Sequence, residues 1–86
     1  EISFLTGIKI VGIDDVGMVS KITQLISGDL KINIAAITIE AKEGLFMGNI
    51  KLYVHDKEEL ETLVASLHQL SGVESVERYD MEDIPA

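Results

Sequence analysis

Two hydrophobic periods alternate along the chain, and their order limits the folds that it can adopt. In the first segment Ile8 and Ile10 fall on one face while Lys9 and Val11 fall on the other, which is the two-residue period of a strand. From Met18 onward apolar residues recur at i, i+4, i+7 and i+8, which is the period of an amphipathic helix. The full pattern predicts β-α-β-β-α-β, with strands over residues 4–13, 32–40, 45–55 and 73–79 and helices over about 18–27 and 56–70.

Short polar side chains and glycines mark the expected helix ends. Asp14 or Asp15 can accept hydrogen bonds from the free N–H groups at the start of the first helix, and Gly28 is a natural stop for it. At the second helix, Asp56 followed three residues later by Glu59 resembles a capping box. We therefore expect aspartates to cap both helices.

This order of elements predicts a ferredoxin-like βαββαβ sandwich of the α+β class. Right-handed crossovers place both helices on one face of a four-stranded antiparallel sheet, with the first and third strands in the centre. A chain of 86 residues has room for one such core, so we expect a single domain over residues 1–80. Residues 81–86 lack periodicity and contain Pro85, which predicts a flexible C-terminal tail.

The second strand has an unusual pattern for an edge strand. Ile32 and Ile34 share one face, but continued alternation puts Ile37 and Ile39 on the other face. An edge strand that is apolar on both faces tends to associate with another chain. The pattern therefore predicts a partner at this edge.

The balance of charge excludes some partners. The net charge is −8, from 15 acidic and 7 basic residues, so binding of nucleic acid by the domain alone is not expected. The absence of cysteine excludes disulfides and thiolate metal sites and fits a reducing, cytoplasmic location. No apolar run reaches the roughly 20 residues of a membrane span, so no membrane partner is expected. The first residues lack an initiator Met, and we expect the chain to be a piece of a longer protein.

Side chains suited to catalysis or metal binding are sparse. His55 and His68 are the only histidines, and neither stands at ligand spacing from the other. No phosphate-binding loop or dinucleotide motif occurs. An enzyme on this fold would need a convergent trio, and Asn49, His55 and Arg78 are too scattered along the chain to act together. We expect no catalytic residue, no metal site and no cofactor in this domain.

The loop between the first strand and the first helix does suggest a ligand site. Gly17 lets the backbone approach a ligand closely, and the helix start offers free N–H groups to a carboxylate. Asn33 and Ile34 open the second strand and place an amide beside an apolar side chain. The same residues also have a purely structural interpretation, in which aspartates cap the helix, Gly17 makes the turn and Asn33 allows a left-handed loop exit.

Over residues 4–79 the chain closely resembles an ACT domain. The resemblance depends on five motifs that occur in order: GIKIVGID at 7–14, GM at 17–18, NI at 33–34, VHD at 54–56 and GVESVER at 72–78. Within that family the chain is most similar to the C-terminal ACT domain of RelA/SpoT proteins, which are bifunctional synthetases and hydrolases of the alarmone (p)ppGpp. The GVxxVxR ending and the aromatic Phe4 carry this narrower match.

The resemblance implies a regulatory role. ACT domains commonly pair through their second strands, and small effectors, often amino acids, bind where the loop of one domain meets the second strand of its neighbour. By resemblance, the candidate ligand-binding residues are Asp14, Val16, Gly17 and Met18 of one domain with Asn33 and Ile34 of another, and the candidate dimer-edge residues are Ile37 and Ile39.

The resemblance also implies partners within a larger protein. In RelA/SpoT proteins the C-terminal region relays starvation signals, through the ribosome and uncharged tRNA, to the N-terminal catalytic domains. The leading hypothesis is a regulatory domain, not itself an enzyme, of a stringent-response (p)ppGpp synthetase/hydrolase. Its expected partners are the other domains of that protein, a second copy of itself and a small amino acid. The alternative is an amino-acid-binding ACT domain of a metabolic enzyme, such as a dehydrogenase or a deaminase.

Overall fold

A computed structural model of the chain describes residues 3–79. The elements follow the predicted order, with one helix in two parts: β1 Phe4–Ile13, α1 Met18–Thr23, a π-helical segment Gln24–Asp29, β2 Asn33–Lys42, β3 Leu45–Val54, α2 Lys57–His68 and β4 Val73–Tyr79. The predicted tail over 81–86 lies outside the described residues, so the expectation of a tail there stays a prediction. Within the described part of the chain, no helix is long and apolar enough to cross a membrane.

The four strands form one antiparallel sheet in the order β2-β3-β1-β4. The central positions of β1 and β3 and the edge positions of β2 and β4 confirm the predicted ferredoxin-like α+β fold. Alternate residues of the central strands are buried together with apolar residues from the helices, and they make up one core: Ile8, Ile10, Met18, Ile22, Ile26, Ile32, Phe46, Ile50, Leu52, Val54, Leu63, Leu67 and Val76.

The start of α2 confirms the predicted cap. Oδ1 of Asp56 accepts a hydrogen bond from the backbone N–H of Glu59 at 2.8 Å. The carboxylate of Glu59 in turn accepts from the backbone N–H of His55 at 2.8 Å, one residue before the N-cap. Both carboxylates therefore satisfy backbone donors at a helix end where the helix dipole also favours negative charge.

The first helix begins differently from the prediction, because Gly17 is its N-cap and no aspartate caps it. Asp15 stands two residues before the N-cap, and its Oδ1 accepts from the neighbouring N–H of Val16 at 2.9 Å. The prediction of an aspartate cap is wrong here because the chain needs a left-handed residue immediately before the helix. Gly17 supplies it with φ 84°.

The predicted stop at Gly28 is also wrong, since the helix continues in π form as far as Asp29. The N–H of Leu30 donates to the carbonyl of Leu25 at 2.9 Å, the wider spacing of a π turn. The side chain of Gln24 occupies the space where a Cβ at position 28 would stand. Gly28 therefore serves side-chain packing inside the helix instead of ending it.

A bulge in β2 changes the faces of its isoleucines. Ile34 pairs with Leu52, whereas Ala36 pairs with Lys51, so one extra residue lies between these two pairs. After the bulge Ile37 pairs with the buried Ile50. Directly opposed residues of a sheet share a face. The side chain of Ile37 therefore lies on the helix-covered side of the sheet, as that of Ile34 does.

Ile37 and Ile39 were predicted to lie on the face opposite to Ile32 and Ile34, and this prediction is wrong. The unbroken two-residue period on which it depended does not hold across the bulge. Ile39 is half-buried against the core, while Ile37 keeps 37% of its surface exposed near the free edge of the sheet.

Candidate ligand-binding site

The loop between β1 and α1 is held at its first residues by two neighbouring turns. The backbone N–H of Ile13 donates to the carbonyl of Gly72 at 2.8 Å, and the N–H of Asp14 donates to the carbonyl of Gly44 at 2.9 Å. Gly44 lies in the turn between β2 and β3, and Gly72 lies in the turn before β4. The loop is therefore fixed to both ends of the sequence segment that contains β3 and α2.

Some of the backbone N–H groups that were expected to bind a ligand already donate hydrogen bonds within the loop and the first turn of the helix. The N–H of Met18 donates to the carbonyl of Asp15 at 3.1 Å, and the N–H of Lys21 donates to the carbonyl of Gly17 at 2.9 Å. A Cβ placed on Gly17 would meet nothing within 4 Å, so the backbone at this residue is open to an approaching molecule. A ligand would have to use first-turn N–H groups other than that of Met18.

The predicted site residues of the loop differ in how much of their side chain is accessible. Val16 is 96% exposed, and Asp14 and Asp15 are also exposed. Met18 is only 3% exposed and belongs to the core. The side chains of Asp14 and Val16 can contact a ligand, whereas the side chain of Met18 has a structural role.

Asn33 and Ile34 lie at the other end of the sheet from this loop. Asn33 pairs with Tyr53, which pairs with Leu5 at the start of β1, while the loop follows Ile13 at the end of β1. Eight residues of strand separate Leu5 from Ile13, which corresponds to about 26 Å. One chain alone does not bring the two halves of the predicted site together.

Two features of this region were not found from the sequence. The carbonyls of Gly44 and Gly72 anchor the loop. The bulge before Ala36 was visible as a change of parity among the isoleucines of β2, and that change was interpreted as a two-faced strand.

A concave surface lies elsewhere, between α2 and the edge strand β4. This groove has a volume of about 420 Å³ and is lined by Glu61, Val64, Ala65, His68 and Arg78. Within residues 3–79 no group of three or more His, Asp or Glu side chains could hold a metal ion.

The fold and the family comparison agree on the class of protein. A family model for the ACT domain matches residues 2–78. The chain belongs to the ACT domain family. Among curated protein sequences, none matches the chain significantly.

Two solved structures of one ACT domain are similar to this chain. The crystal structure of the ACT domain from the GTP pyrophosphokinase of Chlorobium tepidum is 41% identical, with a TM-score of 0.82, over 91% of this chain and 100% of that one. The solution structure of the same domain is 42% identical, with a TM-score of 0.78, over 90% of this chain and 86% of that one. A homoserine dehydrogenase from Thiobacillus denitrificans is 16% identical, with a TM-score of 0.74, over 92% of this chain and 17% of that one, which shows the fold alone.

Proposed function

We propose that this chain is the regulatory domain of a GTP pyrophosphokinase, a (p)ppGpp synthetase/hydrolase of the stringent response. The observation that carries the proposal is 41% identity to the ACT domain of such an enzyme over nearly the whole of both chains. An ACT domain is a regulatory unit and not a catalytic one. In this proposal the domain acts in the cytoplasm and passes a starvation signal, received with the ribosome and uncharged tRNA, to the catalytic domains of its parent protein.

The proposal includes a ligand site formed by two copies of the domain. Antiparallel pairing of β2 with β2 of a second copy sets Asn33 of that copy beside Lys42 of the first. Lys42 pairs with Leu45, and Leu45 pairs with Ile13, so this is the end of the sheet where the loop begins. Three strand spacings, about 14 Å, then separate the two halves of the site instead of about 26 Å along a strand.

The chemistry of the two halves favours a small apolar amino acid as the ligand. The exposed carboxylate of Asp14 suits an ammonium group, and first-turn N–H groups together with the amide of Asn33 suit a carboxylate. Val16 and Ile34 supply apolar surface for the side chain. The carboxylates of Asp14 and Asp15 repel the ligand's acid group, so binding should be weak, with a Kd of about 0.1–1 mM.

A titration followed by backbone amide shifts tests the site. Valine, isoleucine, leucine and serine are added separately to isotopically labelled protein, with acetate as a control that has the carboxylate but no ammonium group. The proposal expects saturable shifts at residues 14–18 and 33–34 for an apolar amino acid, and smaller shifts for serine and acetate. If no amino acid shifts these amides, the domain acts by docking and the ligand part of the proposal is wrong.

A further inference from the structure

The end of β2 nearest the loop has an uncovered residue on the helix side of the sheet. Ala41 pairs with Phe46, and Phe46 pairs with Gly12 in β1, so these residues form one row across that face. Phe46 is 2% exposed, and a Cβ on Gly12 would stand 2.7 Å from its ring, so this part of the row is filled. Ala41 is exposed. It is therefore the accessible part of the row.

The bulge in β2 determines the register in which two copies can pair along the whole strand. Of the residues Asn33–Lys42, only Ala35 has no partner in β3. Full antiparallel overlap of the other nine positions puts the two-fold axis at the fifth of them, Thr38. Each residue then meets one on the same face of the sheet. An axis at Glu40 would instead oppose two carboxylates.

This register places Ala41 between the two halves of the proposed site. Ala41 lies opposite Ile34 of the second copy and is level with Gly12, one residue before the end of β1. Ile34 of the second copy is about 14 Å from β1, three strand spacings, and Ala41 is one spacing closer. A ligand that reaches from the loop toward Ile34 of the second copy therefore passes over the methyl group of Ala41.

We propose that Ala41 limits the size of the ligand's apolar side chain. This inference depends on the proposed ligand site and adds a specificity-determining residue to it. Side chains of a strand stand out from the plane of the sheet, so a larger residue at position 41 would project into the space between the two halves. The methyl group of Ala41 leaves room there for a branched side chain such as that of valine or leucine.

Amide-shift titrations of Ala41→Leu with valine, leucine and alanine test the assignment. The variant should bind valine and leucine at least about tenfold more weakly than the wild type, and its affinity for alanine should stay within about twofold. Ala36→Leu is the matched control, because Ala36 pairs with Lys51 on the face that the helices do not cover. It should leave all three affinities unchanged. Equal losses for all three amino acids in Ala41→Leu would contradict a role in size selection.

Self-crosslinking tests the register independently, since the chain has no cysteine. Thr38→Cys places two thiols at the axis, where opposed Cα atoms about 4.5–5.5 Å apart suit a disulfide. Ala36→Cys lies on the same face but opposite Glu40 of the second copy, so it should form much less disulfide-linked dimer. Equal yields from the two variants would overturn the register and, with it, the role of Ala41.

The titrations distinguish failure of this inference from failure of the proposed site. If the wild type binds none of the three amino acids, the proposed site and the role of Ala41 are both wrong. If the wild type binds valine or leucine and Ala41→Leu binds them equally well, only the role of Ala41 is wrong. Amide spectra of each variant without ligand verify that the fold persists.

Discussion

The backbone N–H of Asp14 donates a hydrogen bond to the carbonyl oxygen of Gly44 at 2.9 Å. This bond joins the loop of the proposed ligand site to the turn that follows β2. The proposed pairing at the β2 edge and the shape of the loop are therefore connected through one short segment. A ligand bound between two copies could stabilise the loop and the paired edge at the same time.

The geometry of Gly44 is the first point to test. Gly44 has φ 82°, so Gly44→Ala should lower the free energy of unfolding by about 1–2 kcal/mol, because a Cβ is strained in that region. The amide resonance of Asp14 should shift with it. Chemical denaturation measures the first effect, and Gly44→Asn, which tolerates the left-handed region, is the control. Equal losses in both variants would show that the backbone angle is not the cause.

Gly17 should matter for both folding and binding. Its φ of 84° means that Gly17→Val should lower the free energy of unfolding by about 1–2 kcal/mol and should also block backbone approach by a ligand. Gly17→Asn should cost less stability and keep the amino-acid shifts at residues 33–34. Retained binding in the valine variant would count against the loop as the site.

The free edge of β2 should mediate self-association. Ile37 is 37% exposed on this strand, so Ile37→Lys should move the population toward monomer while leaving the fold intact. Sedimentation velocity over a range of concentrations measures the change, with Thr62→Lys, at an exposed position of α2, as the matched control variant. A wild-type chain that stays monomeric at high concentration would remove the basis for pairing at β2.

The cap of α2 gives a prediction about stability alone. Asp56→Ala removes the acceptor of the Glu59 N–H and should lower the free energy of unfolding by about 1 kcal/mol, or Tm by about 4–8 °C. Glu58→Gln, which changes a nearby exposed charge, should cost less than half as much. A thermal melt of the three proteins compares them directly.

Local sequence patterns predicted the elements and the α2 cap, since the alternation around Ile8 and the pair Asp56 and Glu59 depend only on near neighbours. The bulge in β2 was missed because a single inserted residue reverses the parity of everything after it. The only sign of the bulge in the sequence is that the isoleucines of this segment change from even positions, 32 and 34, to odd positions, 37 and 39. The N-cap at Gly17 was missed because two adjacent aspartates are good caps by type, and neither aspartate shows that the chain turns left-handed at Gly17.

The candidate site could be predicted only in parts. The loop and the start of β2 each have residues suited to a ligand, and local sequence identifies both. Their separation within one chain follows from strand register, which links Ile13 to one end of the sheet and Asn33 to the other. Sequence spacing does not contain that register.

The proposed role of this domain is to regulate a (p)ppGpp synthetase/hydrolase. The direct measurement is the rate of (p)ppGpp synthesis and hydrolysis by the parent protein, intact and with this domain removed, with the isolated domain assayed alongside in the presence of GTP, GDP, ATP and Mg²⁺ or Mn²⁺. The account predicts that the parent protein turns over (p)ppGpp, that removing the domain changes the ratio of synthesis to hydrolysis, and that the isolated domain has neither activity. Unchanged rates after removal, a parent protein without either activity, or turnover by the isolated domain would contradict it.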